Sequence, residues 1–547
     1  MIGVAGSPTD LETAEEFFQL FKTPWEVARP DHRYRIVLCS NTCVQHINAE
    51  LLLVYGLGET CIDREAGTKV TLVEGPKRID WQGETLPVQT GIATFDADTR
   101  VSALLVDGRK AVDYRWRKGA FAAWRIGYDL FGEIRNLLTV GQPVSESLTP
   151  TLELHIALLR HLLTESGVPF VEIPPRPSGY DFTCCLTHDV DFFGIRRHKF
   201  DRTLAGFAVR ASVGTLVDAV RGRRTMSDVT RNWGALLRLP LVLMGLAPDF
   251  WRPFEDYARV EDRRRATFFL VPFKGRPGKA PDGKVDPRRA VPYQLSEIRE
   301  DVRRASDSGS EMAVHGIDAW RDAGAGRDEI KELTSLTGQE TVGIRMHWLY
   351  FAERSAESLE KAGFAYDSTW GYNDAVGYRA GTSQVFRLPG TRNLMELPLS
   401  IMDSALFYRR RMRLNQDDAR SVCRSLLANA RRFGGTLVIN WHCRSLAPDR
   451  LWGGFYLNLL TEIEQDDRAW FVTAAEAVRW FRWRRSIRFA VEQGALHSTV
   501  VLSAAHANTT AAVIRTYRPT GTGDIAIEDR PFDGRQEIRL STEGHVG

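Results

Sequence analysis

The chain has 547 residues, too many for one ordinary hydrophobic core, so two or three domains are expected. Its 43% hydrophobic and 26% charged residues place it with soluble globular proteins and exclude disordered or fibrous classes. The 72 basic and 69 acidic side chains leave a formal net charge of +3, which gives no bulk reason to expect nucleic acid or an anionic membrane as partner.

Residues 1–33 read as helical and polar, punctuated by Pro24 and Pro30. The opening residues carry acids where a secretory leader would carry a basic region followed by an apolar one, so no such leader is expected. Residues 35–40 (RIVLCS) read as a strand, as do 70–73 and 92–95, whereas 121–138 and 152–163 have helical periodicity. Pro174, Pro175, Pro177 and Gly179 form a linker signal, and the first domain, an α/β domain with no evident catalytic cluster, is placed at 1–178.

Beyond it, strand-like runs at 182–186, 266–271, 312–314 and 436–440 alternate with helical stretches at 294–308, 328–337, 355–362 and 416–433. That alternation predicts a parallel α/β sheet or barrel, in which reactive groups collect at the carboxyl ends of the strands. Residues 192–262 break the rhythm and read as a helical insertion. The cleanest apolar run there is 241–247, far short of the ~20 residues that span a bilayer, so no transmembrane segment is expected. The second domain is placed at 179–485. Residues 480–488 (WFRWRRSIR) have a composition suited to a phosphate or a glycan, but read better as a helix end whose arginines reach outward. Short β-type runs at 499–502 and 525–527 then predict a small β-rich module at 486–547. Seven scattered cysteines, with Cys39 and Cys43 lacking a second close pair, read as buried thiols in a reducing compartment, hence a cytoplasmic location.

Four polar groups stand at strand ends. The first is Thr187-His188-Asp189-Val190-Asp191, where two carboxylates two residues apart project to one side of an extended chain. Such a pair is costly unless a cation or a shared proton relieves it, and one member could bind a divalent metal while the other acts as a base. The second is His315-Gly316, closing a short apolar strand. The third is Arg345-Met346-His347, where arginine and histidine share a face and the guanidinium is suited to orienting a carboxylate through a bidentate pair. The fourth is Asn440-Trp441-His442, whose histidine leaves a buried strand and suits a proton donor. Two histidines and one carboxylate are a common catalytic metal set with open positions for water. One carboxylate and one histidine then remain for acid–base work.

At these residues the chain resembles the polysaccharide deacetylases, the NodB-like carbohydrate esterases. Residues 187–191 look like that family's Thr-Phe-Asp-Asp with one residue inserted between the acids, and Ala266-Thr267-Phe268-Phe269 matches its next strand. Its His-[Ser/Thr]-x-x-His motif is matched only by His315-Gly316. The second histidine position falls on Ala319, beside Asp318. Gly343-Ile344-Arg345-Met346-His347 is similar to a divergent branch found with bacterial surface-polysaccharide proteins, as are Gly363 to Thr369, Gly377 to Gly381 and Leu397 to Leu399 with Met402-Asp403. The resemblance spans roughly 180–485.

It implies a distorted (β/α) barrel of about seven strands. It also implies hydrolysis of an N-acetyl or other acyl group on an amino sugar of a bacterial polysaccharide or its precursor. By the family pattern Asp189 is the base and Asp191 a metal ligand, although the inserted Val190 leaves the reverse order open. His315 is the first histidine ligand, His347 replaces the missing second one, Arg345 orients Asp189, and His442 protonates the leaving group. Zinc is the first expectation, with nickel, cobalt or iron as alternatives. Trp348, Tyr350, Trp370 and Tyr372 are candidates for stacking on sugar rings, against an ordinary role in packing. Two competing readings are a glycan-binding or assembly protein on a degenerate scaffold, and a hydrolase of another non-peptide C–N bond such as a formamide or cyclic amide.

Overall fold

A computed structural model describes residues 1–41, 47–98, 102–119, 121–199, 201–262, 264–493, 497–520 and 524–541. They fall into two compact units, the first made of Met1–Ser178, Ala380–Thr382 and Trp480–Gly547, the second of Gly179–Arg379 and Ser383–Arg479.

The first unit contains a six-stranded sheet with four parallel pairings and one antiparallel one at an edge, where Asp113–Lys118 runs against Phe121–Ile126. Its first strand, Ile2–Ala5, lies in the segment expected to be helical. Ser7 then caps the Pro8–Phe21 helix through a reciprocal box with Asp10. The expected helix at 121–138 is a strand, Phe121–Ile126, followed by a helix, Leu130–Thr139. The apolar residues of Phe121–Ile126 serve both periods equally, and pairing with Asn48–Tyr55 decided for the strand. The predicted strands at 70–73 and 92–95 belong to a second, antiparallel six-stranded sheet. The C-terminal strands are not a separate module. Ala512–Pro519 pairs with Phe170–Glu172, and Tyr517 stacks on Phe170 at 4.4 Å between ring centroids. Some sixty residues bury too little apolar area to stand alone, and here they share a core with the first unit. In the 480–488 stretch the Arg484 guanidinium is buried and donates to the carbonyls of Ile173, Gln19 and Leu20, so it is part of the core and not an outward-reaching end.

Five cysteines are free and buried, but Cys61 is disulfide-bonded, which departs from the all-thiol expectation. Linear spacing does not report the Cα proximity that a disulfide needs. Cys43 lies outside the described residues.

The second unit is built on one sheet. Phe182–Val190 runs parallel to Thr267–Leu270 on one side and to Thr436–Asn440 on the other. Outward from Thr267–Leu270 come Glu311–Gly316, Gly343–Met346 and Tyr366–Asp367, all parallel, and outward from Thr436–Asn440 comes Ile401–Met402, also parallel. The sheet is larger and more open than the expected seven-stranded barrel. Nine strands lie along one path, a tenth (Ala469–Phe471) pairs off it with Phe182–Val190, and the two ends of the path are two-residue strands not paired to each other. Closing a barrel needs edge strands long enough to pair in a fixed stagger. Buried apolar residues dominate both faces, as expected where helices cover a parallel sheet: in Phe182–Val190 every residue is buried. Between the first two strands stands the expected helical insertion, with helices Arg202–Val209, Thr215–Val220, Met226–Leu243 and Pro253–Val260. Because the seven strands from Tyr366–Asp367 across to Ile401–Met402 are parallel, their carboxyl ends share one edge of the sheet.

Candidate functional site

At that edge the chain brings together all six residues singled out from the sequence. Asp189 closes the Phe182–Val190 strand, in register with Phe269, and Asp191 follows the strand's last residue. The period of two places Asp189 with Thr187 on the site face. It turns His188 to the opposite face, where its imidazole stacks on Tyr257 at 3.6 Å and lies 2.9 Å from Glu261. Tyr293 pins the turn between the acids: its hydroxyl donates to the Val190 carbonyl at 2.7 Å and accepts from the Val271 N–H at 3.0 Å.

Asp191 Oδ1 lies 3.4 Å from His315 Nε2 and 3.2 Å from His347 Nε2. One ligand atom from each of the three residues lies within 4.8 Å of the other two, close enough to share an ion. Three features fit this set to a metal. Asp191 Oδ1 is buried with no hydrogen-bond partner among the described residues. The His315 Nδ1–H donates to the Arg345 carbonyl at 3.0 Å, which fixes the tautomer that leaves Nε2 with its lone pair. Burial pushes the pKa of His347 down to about 3 against the pull of Asp191, so that ring is neutral and able to coordinate. Burial works against ionisation of Asp191, but His347 and His315 outweigh it and hold its carboxyl well below the usual range.

Arg289 ties the two histidine loops together. Its buried guanidinium donates to the Ile317 carbonyl at 3.2 Å and to the His347 carbonyl at 3.1 Å. Directly after His347, Trp348 and Leu349 both adopt the left-handed region, at φ 66° and 53°. Neither is a glycine, and such strain persists only where the surroundings over-determine it. The second histidine position of the family motif is filled differently. Ala319 is buried, and Asp318 is engaged by Arg321 and the Lys279 N–H at 2.7 and 3.1 Å. His347 completes the cluster instead.

Asp189 occupies a second, adjoining place. Oδ1 accepts from Arg345 Nη1 at 3.0 Å, and Oδ2 accepts from Asn440 Nδ2 at 2.7 Å. Oδ2 also lies 3.8 Å from His315 Nε2 and 4.0 Å from His442 Nε2. Burial opposes its ionisation, and His315, Arg345 and His442 together override that and lower its pKa. The arginine contact is single, not the bidentate pair expected. Its other donors go to Thr187 Oγ1 (2.9 Å), the Ser368 carbonyl (3.0 Å) and Ser368 Oγ (3.0 Å), while the guanidinium lies over the Phe269 ring.

His442 faces Asp189 from the far side. Its Nδ1–H donates to Asp403 Oδ1 at 2.6 Å and its backbone N–H to Asp403 Oδ2 at 2.7 Å. Desolvation pulls the pKa of His442 down, but Asp403, then Asp189 and Asp191, raise it to about 10, so the ring is cationic at neutral pH. Asp403 enters from its position just after the Ile401–Met402 strand, whose Met402 is in register with Asn440. It carried no assigned role in the sequence reading, because nothing local pairs residue 403 with residue 442. Asn440 was legible only as a strand end.

Asp189, Asp191, His315, His347 and His442 line a cavity of about 220 Å³, together with Trp348, Tyr408, Arg411 and Arg444. Of the aromatics weighed for sugar stacking, Trp348 lines the cavity. Trp370 is buried between Phe351 and Phe386, and Tyr350 packs on Trp320 and Arg289.

The chain resembles the polysaccharide deacetylases. Among solved structures it is similar to a protein described as a polysaccharide deacetylase from Mycobacterium smegmatis, at 19% identity over 59% of this chain and 99% of that one, with a TM-score of 0.35. It is similar to Puue allantoinase at 17% identity over 56% and 92% of the two chains, with a TM-score of 0.33. It is also similar to Agd3, described as a novel carbohydrate deacetylase, at 8% identity over 99% and 98%, with a TM-score of 0.36. Neither a family model nor a curated protein matches the chain. Likenesses this distant fix no activity, and what the site can do rests on its own geometry.

Proposed function

We propose that this protein is a metal-dependent hydrolase that removes an acyl group, N-acetyl first, from an amino sugar in a glycan or its precursor. One observation carries the reading: the Asp191, His315 and His347 donors converge beside an ionised Asp189, with a cationic His442 facing it across the same cavity. A divalent metal held by that triad, zinc before nickel, cobalt or iron for a mixed imidazole and carboxylate set, would supply Lewis-acid polarisation of an acyl carbonyl.

The chain's own groups divide the proton work. Asp189, kept ionised and aimed by Arg345 and Asn440, takes a proton from the attacking water at Oδ1 or Oδ2. His442, held by Asp403 with its Nδ1–H engaged, presents Nε2–H as the acid for the departing nitrogen or oxygen. The two groups carry opposite charges, which is the arrangement a base and an acid need at one pH. Arg345 holds Asp189 in place and does not itself line the cavity, so it positions the base and does not touch substrate.

The test is acetate release from N-acetylglucosamine oligomers by the zinc-loaded protein, beside formate release from a formamide and ring opening of a cyclic amide. Acetate release that is lost on chelation and in Asp189→Asn supports the reading. Bound zinc with no product from any of the three substrates refutes it, and formate or ring-opened product alone moves the activity to another C–N bond.

A further inference from the structure

We propose that the helical insertion of the second unit docks flat on the surface of an anionic lipid bilayer. The insertion has two unlike faces. On the inner one, Phe207 and Ala211, one helical turn apart, join Ala235, Val242, Trp251 and Ala447 in a buried cluster. On the outer one, Val209, Val213, Val220, Leu237, Met244 and Leu246 are between 62% and 83% exposed. Of the eighteen exposed large hydrophobic residues among the described ones, eleven fall between 209 and 246, so this apolar surface is concentrated in one place.

Charge identifies the occupant. Residues 201–247 contain seven arginines, no lysine and three aspartates, a surplus of four positive charges in a chain whose total is +3. Arg210 and Arg224 are spent inward, on Asp449 and on the Arg450 carbonyl. Arg231 and Arg238 are exposed on the same helix as Leu237, and Arg221 is exposed directly after Val220. Aliphatic side chains interleaved with basic ones are what an interfacial helix presents to acyl chains and acidic headgroups. A second copy of this chain would set one positive surplus against another.

A π-helical turn, Arg210–Gly214, joins Arg202–Val209 to Thr215–Val220, and the continuous 19-residue run Arg202–Val220 is long and apolar enough to cross a membrane, with a mean hydropathy of 1.3. It is nonetheless built to lie on a surface, because Phe207, Ala211 and Thr215 are buried in the protein and Arg210 is ion-paired to Asp449. The bulk charge weighed against a membrane partner says nothing of a local patch. Ala447, Asp449 and Arg450, which the insertion rests on, follow His442 closely, and Arg444 of the same segment lines the candidate site. Docking would therefore bring the rim of that cavity near the lipid surface. The proposal stands whether or not the site is a hydrolase.

The experiment is co-sedimentation of the full-length protein with phosphatidylcholine vesicles and with vesicles containing about 30% phosphatidylglycerol. The triple variants V220S/L237S/L246S and R221Q/R231Q/R238Q are run in parallel, all at exposed positions, with circular dichroism and thermal unfolding to verify their folding. At low salt the wild type should partition at least ~10-fold more strongly onto the anionic vesicles, and about 0.5 M salt should reverse most of that preference. Each folded triple variant should lose about 10-fold in binding. Equal partition onto both vesicles, no binding to either, or folded triple variants that bind like the wild type each overturn the proposal. So does a dimer in sedimentation velocity that V220S/L237S/L246S converts to monomer.

Discussion

His347 is the residue on which the metal set turns, because it supplies the second imidazole of the cluster with Asp191 and His315. We expect His347→Ala to lower zinc affinity by more than the ~10–100-fold that loss of an outer partner costs, measured as metal content after equilibration with a competing chelator. Retention of full zinc content would remove His347 from the site. The acid is subject to a different test. His442 is protonated below a pKa of about 10 and loses its proton above it, so turnover should fall as pH rises through that value. Asp403 is the largest upward influence on that ring, and Asp403→Asn should move the alkaline limb of the pH–rate profile to lower pH. An unmoved limb would assign it to another group. His442→Ala should cost about 10²–10⁴-fold in kcat, the range of a positioned proton donor.

At the scale of the element, the Gly343–Met346 strand carries Arg345 and leads into His347, and its first residue has no room for a side chain. A Cβ at Gly343 would stand 2.0 Å from Tyr366 Cζ, whose hydroxyl donates to buried Glu311 at 2.7 Å. Gly343→Ala should destabilise the fold by about 1–3 kcal/mol or more through overpacking, read as a lower urea midpoint at unchanged m. On the next two strands, Asp367 and Glu396 are buried side by side and burial raises both carboxyls, Asp367 to about 6 and Glu396 further. Two acids this close share a proton. Glu396 Oε1 accepts from the Trp370 N–H at 2.9 Å, a contact that an amide keeps. Glu396→Gln should therefore leave stability within about 1 kcal/mol, while Glu396→Ala leaves a buried donor unmet at a cost of about 1–3 kcal/mol, a difference that thermal unfolding resolves.

For the whole molecule, a metal that binds only the folded chain raises its stability. At free zinc of about 100 times the dissociation constant the gain is about 2.7 kcal/mol. Chelation should lower the Tm of the wild type and added zinc restore it, while His347→Ala should show neither change. The size of the sheet also bears on tolerance. Asp191, His315, His347 and His442 are contributed by four different strand ends, so a change that shifts one strand by a residue alters the site without touching a ligand.

Much of this was legible in the linear chain. The 182–186, 266–271, 312–314 and 436–440 runs are strands within a few residues, and 355–362 and 416–433 are helices at the expected bounds. Periodicity reports a local burial pattern, and residues two apart at a strand end share a face wherever the strand goes. Asp403, Arg289, Asn440 as the partner of Asp189, and the strand at 121–126 were decided by the tertiary structure alone. Each depends on contacts between residues far apart in sequence, as with Asp403 and His442, and no local pattern encodes which two distant ends will meet. The open sheet and the pairing of the C-terminal strands with Phe170–Glu172 belong to the same class, because edge closure and shared cores are set by which surfaces remain to be buried once every element has formed.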